Sequence, residues 1–573
     1  MVTINLDNLT VEHNQILNNI SEDTRADFDR LIVNLSKKHV NNIHWIVGSI
    51  ASRNKYYSPL FIRCCKILFV KRLLNQSGSV KEILTRDRAL ATVLQKWCFE
   101  HNITETVVNC TESTKARVWR ILRPARQYLI AFYLITLRCI GGSFRGNKIL
   151  SDKPITLIDT FVLNNGGADE GSINRKVYKD RYYPGLMEQL TEEEKSNIFF
   201  LPTIVGFNNP IRAFRLIRSA TSPFIIHDDY LKITDYFFAL MHPFKLLRCS
   251  ITNCEFHDVN IGPLLIEEKI NHCCDFISIL GILYHQFAYR LKESGINVRL
   301  LVDWYENQVI DRGMIVGFHK YLPETRVIGY QGFVISKSLH LYVYPNSSEY
   351  QSKAVPDTVY VVGQELKDDI HEFCDDINVA VGPAFRFDKL WRDRLYKPDP
   401  KTFTVLVGLP IGLDDCTHIL KLLVNILENF NEKNFQFWVK PHPTYGPESI
   451  KALLPGNWPK ELIFMKGDFH DVIEKSNLLV SNASSVSLEA LAKGVPTIIV
   501  APQNGIVQNP IPDKIPNNVW SVVYGGSELK DEIIHFKEFA TAHSDLFEQL
   551  SVDIKKNYFN QVTRKNTLAF LEI

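Results

Sequence analysis

The sequence predicts an α/β protein: two Rossmann-like lobes with a cleft between them and a helical N-terminal extension. Three observations predict it. Short β-branched or aromatic runs alternate with longer amphipathic stretches, the pattern of βα units and parallel sheets. The alternation restarts after residues 395–401 (LYKPDPK), a charged stretch with two prolines that reads as a linker. A length of 573 residues suits several domains at roughly 100–200 residues each.

Taken in order, residues 1–40 read as the helical extension. Residues 41–395 form the first lobe, with candidate strands at 43–47, 80–84, 105–108, 155–158, 198–201, 224–226, 298–302, 326–329 and 359–362. Helices are expected at 87–101 and 268–290. The second lobe, 402–530, has expected strands at 403–407, 435–439, 462–464, 478–480 and 497–500, with helices at 416–430, 470–475 and 486–492. Residues 531–573 read as helices that pack back on the first lobe. Open α/β sheets bind ligands beyond the carboxyl ends of their strands, so the cleft is the expected site.

Composition narrows the function. Lys+Arg total 65 against 63 Asp+Glu, for a net charge of +2, with 45% hydrophobic and 22% charged residues. These values exclude a disordered, fibrous or polytopic membrane protein, and nucleic-acid binding driven by overall charge. The opening MVTINLDNLTVEHNQ lacks the basic-then-apolar pattern of a secretory signal. Eleven cysteines without CxxC spacing suit a reducing cytoplasm and indicate neither zinc nor disulfides. The apolar run 127–137 is too short to span a bilayer, which takes about 20 residues.

The near-zero charge conceals one region. Between Ser113 and Ser151 stand eight Lys or Arg residues and no acid. Lys115, Arg117, Arg120, Arg123 and Arg126 interleave with Val118, Trp119, Ile121 and Leu122, ahead of YLIAFYLITL. This is the make-up of an interfacial helix on anionic lipid, or of a buried crossover helix with a solvated basic face. Pro124 is expected to bend or start the helix.

The most informative stretch is FWVKPHPTYG, followed by NLLVSNASSVSLEALAKGVPTIIV. His442 directly follows an expected strand, and Ser484 and Ser485 sit where strand 478–480 turns into a helix. Hydroxyls and free N–H groups at such a turn suit a phosphate. Glu489, one turn on, suits ribose hydroxyls, and a histidine facing that phosphate can offset or protonate a leaving nucleotide. Taken singly, Ser484 is a helix cap and His442 a loop residue. Together, at successive strand ends, they point to a nucleotide site.

These residues carry a resemblance. KPHP followed by SNASSVSLEALAKGVPTI resembles the nucleotide-binding lobe of GT-B glycosyltransferases that build bacterial surface polysaccharides: sialyltransferases, polysialyltransferases, Kdo transferases and CDP-glycerol transferases. The resemblance covers the last third of the chain. It implies that His442-Pro443 and Ser484-Ser485 hold the CMP part of a donor, with Lys440 and Glu489 beside them. It also implies an acidic-acidic-Gly base in the first lobe, matched by Asp169-Glu170-Gly171 in GGADEGSINRK. Asp159, Asp180 and Glu306 are other candidate carboxylates. Glu306 lies in VDWYENQVIDRG, which with the later GYQG looks like a pattern of surface-carbohydrate biosynthesis proteins. There Glu306 is catalytic, positions the acceptor or organises the loop, and Asp303 with Arg312 is expected as a helix-start ion pair. Ser49, Ser52, Arg53 and Asn54 are expected to face the cleft, Arg53 to take a ligand carboxylate or to stabilise its own loop.

The reading is a cytoplasmic glycosyltransferase, peripheral on the inner face of the cytoplasmic membrane. It moves a sugar, a CMP-activated ulosonic acid such as sialic acid or Kdo, onto a lipid-linked or oligosaccharide acceptor. No metal and no cofactor beyond the nucleotide-sugar donor is expected, Asp228-Asp229 notwithstanding, and no nucleic acid. The alternatives are a CDP-glycerol-type phosphotransferase, a sugar-nucleotide 2-epimerase and a non-catalytic membrane-associated scaffold.

Overall fold

The computed structural model describes residues 2–77, 80–144, 153–164, 173–174, 177–334, 337, 340–392, 402–428, 430, 432, 434–482 and 485–573. Residues 395–401 therefore lie outside the described residues. Strands β1 (Val2–Asn5), β2 (Val80–Thr85) and β3 (Val107–Cys110) form a small parallel sheet of their own. Helices Val11–Ser36, Leu60–Ser77 and Arg88–Glu100 bury a separate core against it, built from Ile4, Leu17, Phe28, Phe69, Ile83 and Leu94. The strands at 80–84 and 105–108 thus belong to this unit and not to the large first-lobe sheet. Their partner Val2–Asn5 is too short to show a period in sequence.

The first large sheet has strands β4 (Ile155–Leu163), β5 (Ile198–Val205), β6 (Val298–Trp304), β7 (Arg326–Gln331), β8 (Thr358–Val361) and β9 (Val379–Val381), in the order β9-β8-β7-β6-β4-β5. The second has β10 (Phe403–Gly408), β11 (Phe435–Lys440), β12 (Leu462–Phe464), β13 (Leu478–Ser481), β14 (Thr497–Val500) and β15 (Trp520–Val523), in the order β12-β11-β10-β13-β14-β15. All their pairings are parallel. Strands such as β13 and β14 are buried at every residue, as sheets covered on both faces require. The two Rossmann-like lobes are present.

Three expectations fail locally. Residues 43–47 form a helical turn, Ile43–Ile46, because the Asn42 side chain accepts the His44 N–H and starts a helix. Residues 224–226 make only a single bridge, Phe224 to Phe200. The helix expected at 268–290 is two, Gly262–His272 and Phe276–Glu293, broken where His272 Nδ1 meets Asp275 Oδ2 at 2.8 Å.

Both chain ends strap the lobes together. Asn14 and Asn18 of the first long helix donate to the carbonyls of Pro502 and Gly505, and Asn18 Oδ1 accepts the Val507 N–H at 2.6 Å. Beyond the helix Gly526–Ala542, the helices Ser544–Tyr558 and Arg564–Phe570 return to the first lobe. There the Asn560 N–H donates to Val362 O (2.7 Å), and Asn560 O accepts the Ala384 N–H (2.8 Å).

The basic segment is one helix, Thr114–Ser143, which runs through Pro124 without stopping. The helix does not begin at the proline as expected, because Ser113 Oγ accepts the Ala116 N–H and caps the helix at its Thr114 end. Pro124 only leaves the Arg120 carbonyl without its intrahelical N–H. Among the described residues no helix is long and apolar enough to cross a membrane.

Beneath the site, helix Phe276–Glu293 crosses helix Val309–Tyr321 at glycine contacts. A Cβ on Gly313 would stand 2.1 Å from the Gly281 carbonyl oxygen, and one on Gly317 2.8 Å from that of His285. Backbone cannot retreat as a flexible side chain can, so Gly313→Ala is expected to cost about 3 kcal/mol and to lower Tm measurably. An unchanged melting curve would show that the helices do not cross this closely.

Candidate functional site

In the first lobe, β6 ends at Trp304 and the chain turns sharply, with Asn307 at a positive φ of 54°. Asp311 Oδ2 accepts the backbone N–H groups of Glu306 (3.1 Å) and Gln308 (2.9 Å), which fixes this turn and starts the next helix. The Glu306 carboxylate is half-buried and held on both oxygens: Trp304 Nε1 donates to Oε1 at 2.9 Å, Gln308 Nε2 to Oε2 at 2.5 Å. Among the described residues no cation pairs with it. A carboxylate that is aimed, un-neutralised and at a sheet's carboxyl edge is equipped to accept a proton.

Behind Glu306 two more acids stand side by side. Val302 pairs with Ile158, so Asp303 and Asp159, next along each strand, share one face of the sheet. Asp303 is 0% exposed and, among the described residues, neither of its oxygens has a hydrogen-bond partner, while Asp159 accepts only the Thr203 hydroxyl among side chains, at 3.2 Å. Burial pushes the Asp159 carboxyl up to about 7 and holds Asp303 well above the carboxylate range. The expected Asp303–Arg312 ion pair does not form. Arg312 instead reaches Glu349 (2.6 Å), Asn307 and the carbonyls of Ala51 and Ser52.

In the second lobe, His442 follows β11, half-buried. The Thr444 N–H donates to its Nδ1 at 3.3 Å and Thr444 Oγ1 lies 2.9 Å from the same atom. An accepting Nδ1 places the neutral ring's proton on Nε2, leaving a donor there. Burial, then Arg181 of the first lobe, lowers the His442 pKa. Pro443 is exposed. Lys440 donates to Gly467 O at 2.6 Å, so it ties the end of β11 to the next loop. Ser485 precedes helix Val486–Ala492 and donates to Glu489 Oε1 at 3.1 Å. His470 Nε2 lies 3.3 Å from Glu489 Oε2. Glu489 is thus buried between a hydroxyl and an imidazole, and His470 joins the site although its sequence context, a short expected helix, gave no sign of it.

The turn at Asp180–Tyr183 stands between these two edges. Asp180 Oδ1 accepts the N–H groups of Tyr182 and Tyr183, a turn-forming role that occupies one of its oxygens. Arg181 is near enough to His442 to depress its pKa, while the Tyr182 ring packs edge-on against Trp304 at 4.7 Å and feels the Glu306 charge. Neither Arg181 nor Arg386, whose guanidinium lies 5.8 Å over the Trp304 ring, has an acidic partner among the described residues. A further cross-lobe contact runs from Lys55 Nζ to Gln508 Oε1 (2.6 Å); burial lowers that amine to about 7, with Asp415 opposing. Sequence offered no signal for Lys55, since most lysines are solvated.

The remaining expectations sort as follows. Asp169, Glu170 and Ser484 lie outside the described residues. Arg53 is buried and does not face the cleft: its carboxylates are internal, Asp29 and Glu349, both at 2.9 Å. Asp228 and Asp229 are held by Arg138 and Arg218. Among the described residues no group of three or more His, Cys, Asp or Glu could hold a metal ion.

No family model and no curated protein matches the sequence. Among solved structures the chain is similar to a putative UDP-N-acetylglucosamine 2-epimerase from Listeria monocytogenes, at 10% identity and a TM-score of 0.42 over 73% of this chain and 95% of that one. MurG of Acinetobacter baumannii aligns at 12% identity and a TM-score of 0.37, over 73% of this chain and 99% of that one. TarM aligns at 10% identity and a TM-score of 0.39, over 74% and 98%.

The buried acid pair gives stability a pH dependence of known sign. A native carboxyl titrating near 7 keeps a proton that the unfolded chain releases above about pH 4, so stability falls as pH rises through that window. Asp159→Asn, which cannot ionise, is expected to raise Tm at pH 8 by more than at pH 5 in calorimetric melts. An equal or reversed effect at the two pH values would show that the pair is not buried and proton-bearing.

Proposed function

We propose that this chain is a nucleotide-sugar glycosyltransferase of surface-polysaccharide synthesis, with a CMP-activated ulosonic acid as donor and a lipid-linked or oligosaccharide acceptor. It works peripherally on the inner face of the cytoplasmic membrane. The observation that carries this reading is the facing of two edges. Glu306 is held at the end of β6, His442 follows β11, and Arg181 and Tyr182 stand between them. The sequence resemblance around His442-Pro443 and Ser485 supplies the nucleotide.

The chemistry follows from those groups. Glu306 accepts the proton of the acceptor hydroxyl as its oxygen bonds to the anomeric carbon. The bond from that carbon to the CMP phosphate oxygen breaks with its electron pair going to the phosphate. His442 Nε2–H donates a hydrogen bond to the departing phosphate, which lowers the charge that must develop there. Ser485 and Glu489 take the ribose end. Arg181 and Arg386 supply fixed positive charge between the edges, suited to a donor that carries both a phosphate and a carboxylate.

Thermal-shift titration with CMP, CDP, UDP and GDP tests the donor. CMP is expected to raise Tm by a few degrees in the wild type, since saturating ligand adds about 2.7 kcal/mol at a hundred times Kd, and His442→Ala is expected to weaken that shift. A UDP response without a CMP response would overturn the ulosonate donor. For the base, Glu306→Gln is expected to lower kcat by about a hundredfold or more while the CMP shift persists. Wild-type turnover in that variant removes Glu306 from the chemistry.

A further inference from the structure

The helix Thr114–Ser143 is buried at one end only; its first half is tethered at the surface, Arg120 to Glu267 (3.7 Å) and Gln127 Nε2 to Asp275 Oδ1 (2.7 Å). Its buried residues are Ala131, Ile135, Arg138, Gly141 and Gly142, all in the second half. Arg138 pairs with the buried Asp228, and Cβ atoms on Gly141 and Gly142 would meet Phe214 and the Asp228 backbone within 3 Å. From residue 114 to residue 130 no side chain is buried. Yet the outer side of that half is apolar: Trp119 is 53% exposed and Leu129 68%, with Val118, Ile121 and Leu122 exposed beside them. On a 3.6-residue period, Val118, Leu122, Leu129, Tyr133 and Ile140 form a stripe on the side opposite the buried residues.

A second element extends the stripe. Helices Ile233–Leu240 and His242–Leu247 lie against the first, with Tyr128 edge-on to Phe244 at 6.2 Å and its hydroxyl on Leu240 O at 3.4 Å. They expose Phe237 (64%), Phe244 (50%), Phe238, Met241 and Leu247. Their sole acid, Asp235, is buried against Arg290. Scattered exposed apolar residues are ordinary, but a continuous aromatic platform on a monomer marks an interaction site.

Charge identifies the occupant. Lys115, Arg117, Arg123 and Arg126 have no ion-pair partner among the described residues, and Lys245 and Arg248 stand at the end of the neighbouring helix. Arg123 and Arg126 line an open groove of about 430 Å³ together with Trp119, Arg120 and, from the adjoining helix Gly262–His272, Asn271 and Glu267. The Glu267 charge is taken up by Arg63 and Arg120. Aromatic rings and unpaired basic groups on one face match the headgroup and upper acyl region of an anionic bilayer. We infer that this three-helix platform docks the protein on an anionic phospholipid membrane. Trp119, Phe237 and Phe244 enter the interface, and Arg123 and Arg126 meet headgroup phosphates. This deepens the peripheral placement proposed above and rests on it for the choice of a bilayer. The test uses no nucleotide, so its failure and that of the transferase reading are distinguishable.

The experiment is flotation of the full chain with vesicles of phosphatidylglycerol and phosphatidylcholine, against phosphatidylcholine alone, at 0.15 M and 1 M salt. Binding to the anionic vesicles at 0.15 M, lost at 1 M, is expected, because the Debye length falls from about 8 Å to about 3 Å. Arg123→Ala with Arg126→Ala, and separately Trp119→Glu with Phe237→Glu, are each expected to weaken binding about tenfold or more. All four sites are exposed, and unchanged melting curves confirm the fold of both variants. Wild type that stays at the bottom of the gradient, floats equally with neutral vesicles, or is matched by both variants overturns the proposal. So does sedimentation showing a wild-type dimer that the same substitutions disperse, since a second copy then covers the platform.

Discussion

Two guanidiniums and two carboxylates buried at the centre of the first lobe set the position of nearly everything described above. Arg53 bridges Asp29 of the first long helix and Glu349, and Arg312 reaches the same Glu349. Arg53 also donates to the carbonyls of Leu341 and Tyr344, and Arg312 to those of Ala51 and Ser52. Removing such charges from water is expensive, and only dense hydrogen bonding makes a buried cluster tolerable. Here the bonds do more than balance charge. Asn307 links Arg312 Nε to Glu349 and to the Tyr342 carbonyl, and so holds the turn that presents Glu306. Four segments distant in sequence converge to aim one carboxylate.

The site shows a division of labour around that turn. Glu306 faces outward with its oxygens held by neutral donors, Trp304 and Gln308. Asp311 gives its own oxygen to the turn's backbone. Asp159 and Asp303, one layer deeper, have no cation beside them among the described residues, and burial raises both carboxyls. Across the cleft the second lobe offers the His442 Nε2 donor, while the Ser485 hydroxyl and His470 are both engaged by Glu489.

Sequence revealed the second lobe more fully than the first. Its strands are short apolar runs between amphipathic helices, wholly buried in β13 and β14, so β10 to β14 and helix Val486–Ala492 are legible almost residue by residue; only β15 escapes among its strands. In the first lobe, strands 80–84 and 105–108 are legible as strands but not as members of a separate sheet, because pairing is a long-range fact. Residues 43–47 read as a strand because a short apolar run has no period, and a single Asn42 cap decides for helix. In VDWYENQVIDRG, one period cannot tell which polar residue faces the cleft: Glu306 does, while Asn307 and Arg312 turn inward. Arg53 illustrates the same limit, since its carboxylate partners lie 24 and 296 residues away.

The chain ends bind the lobes from both sides, through Asn14 and Asn18 at one end and Asn560 at the other, so the facing edges are held in register by contacts remote from them. Both edges are proposed to close on one bound nucleotide. Hydrogen–deuterium exchange with and without saturating CMP measures this most directly. Slowed exchange is expected at 303–308 in the first lobe together with 440–445 and 485–490 in the second. Protection confined to other segments, or none at any of these three, would contradict it.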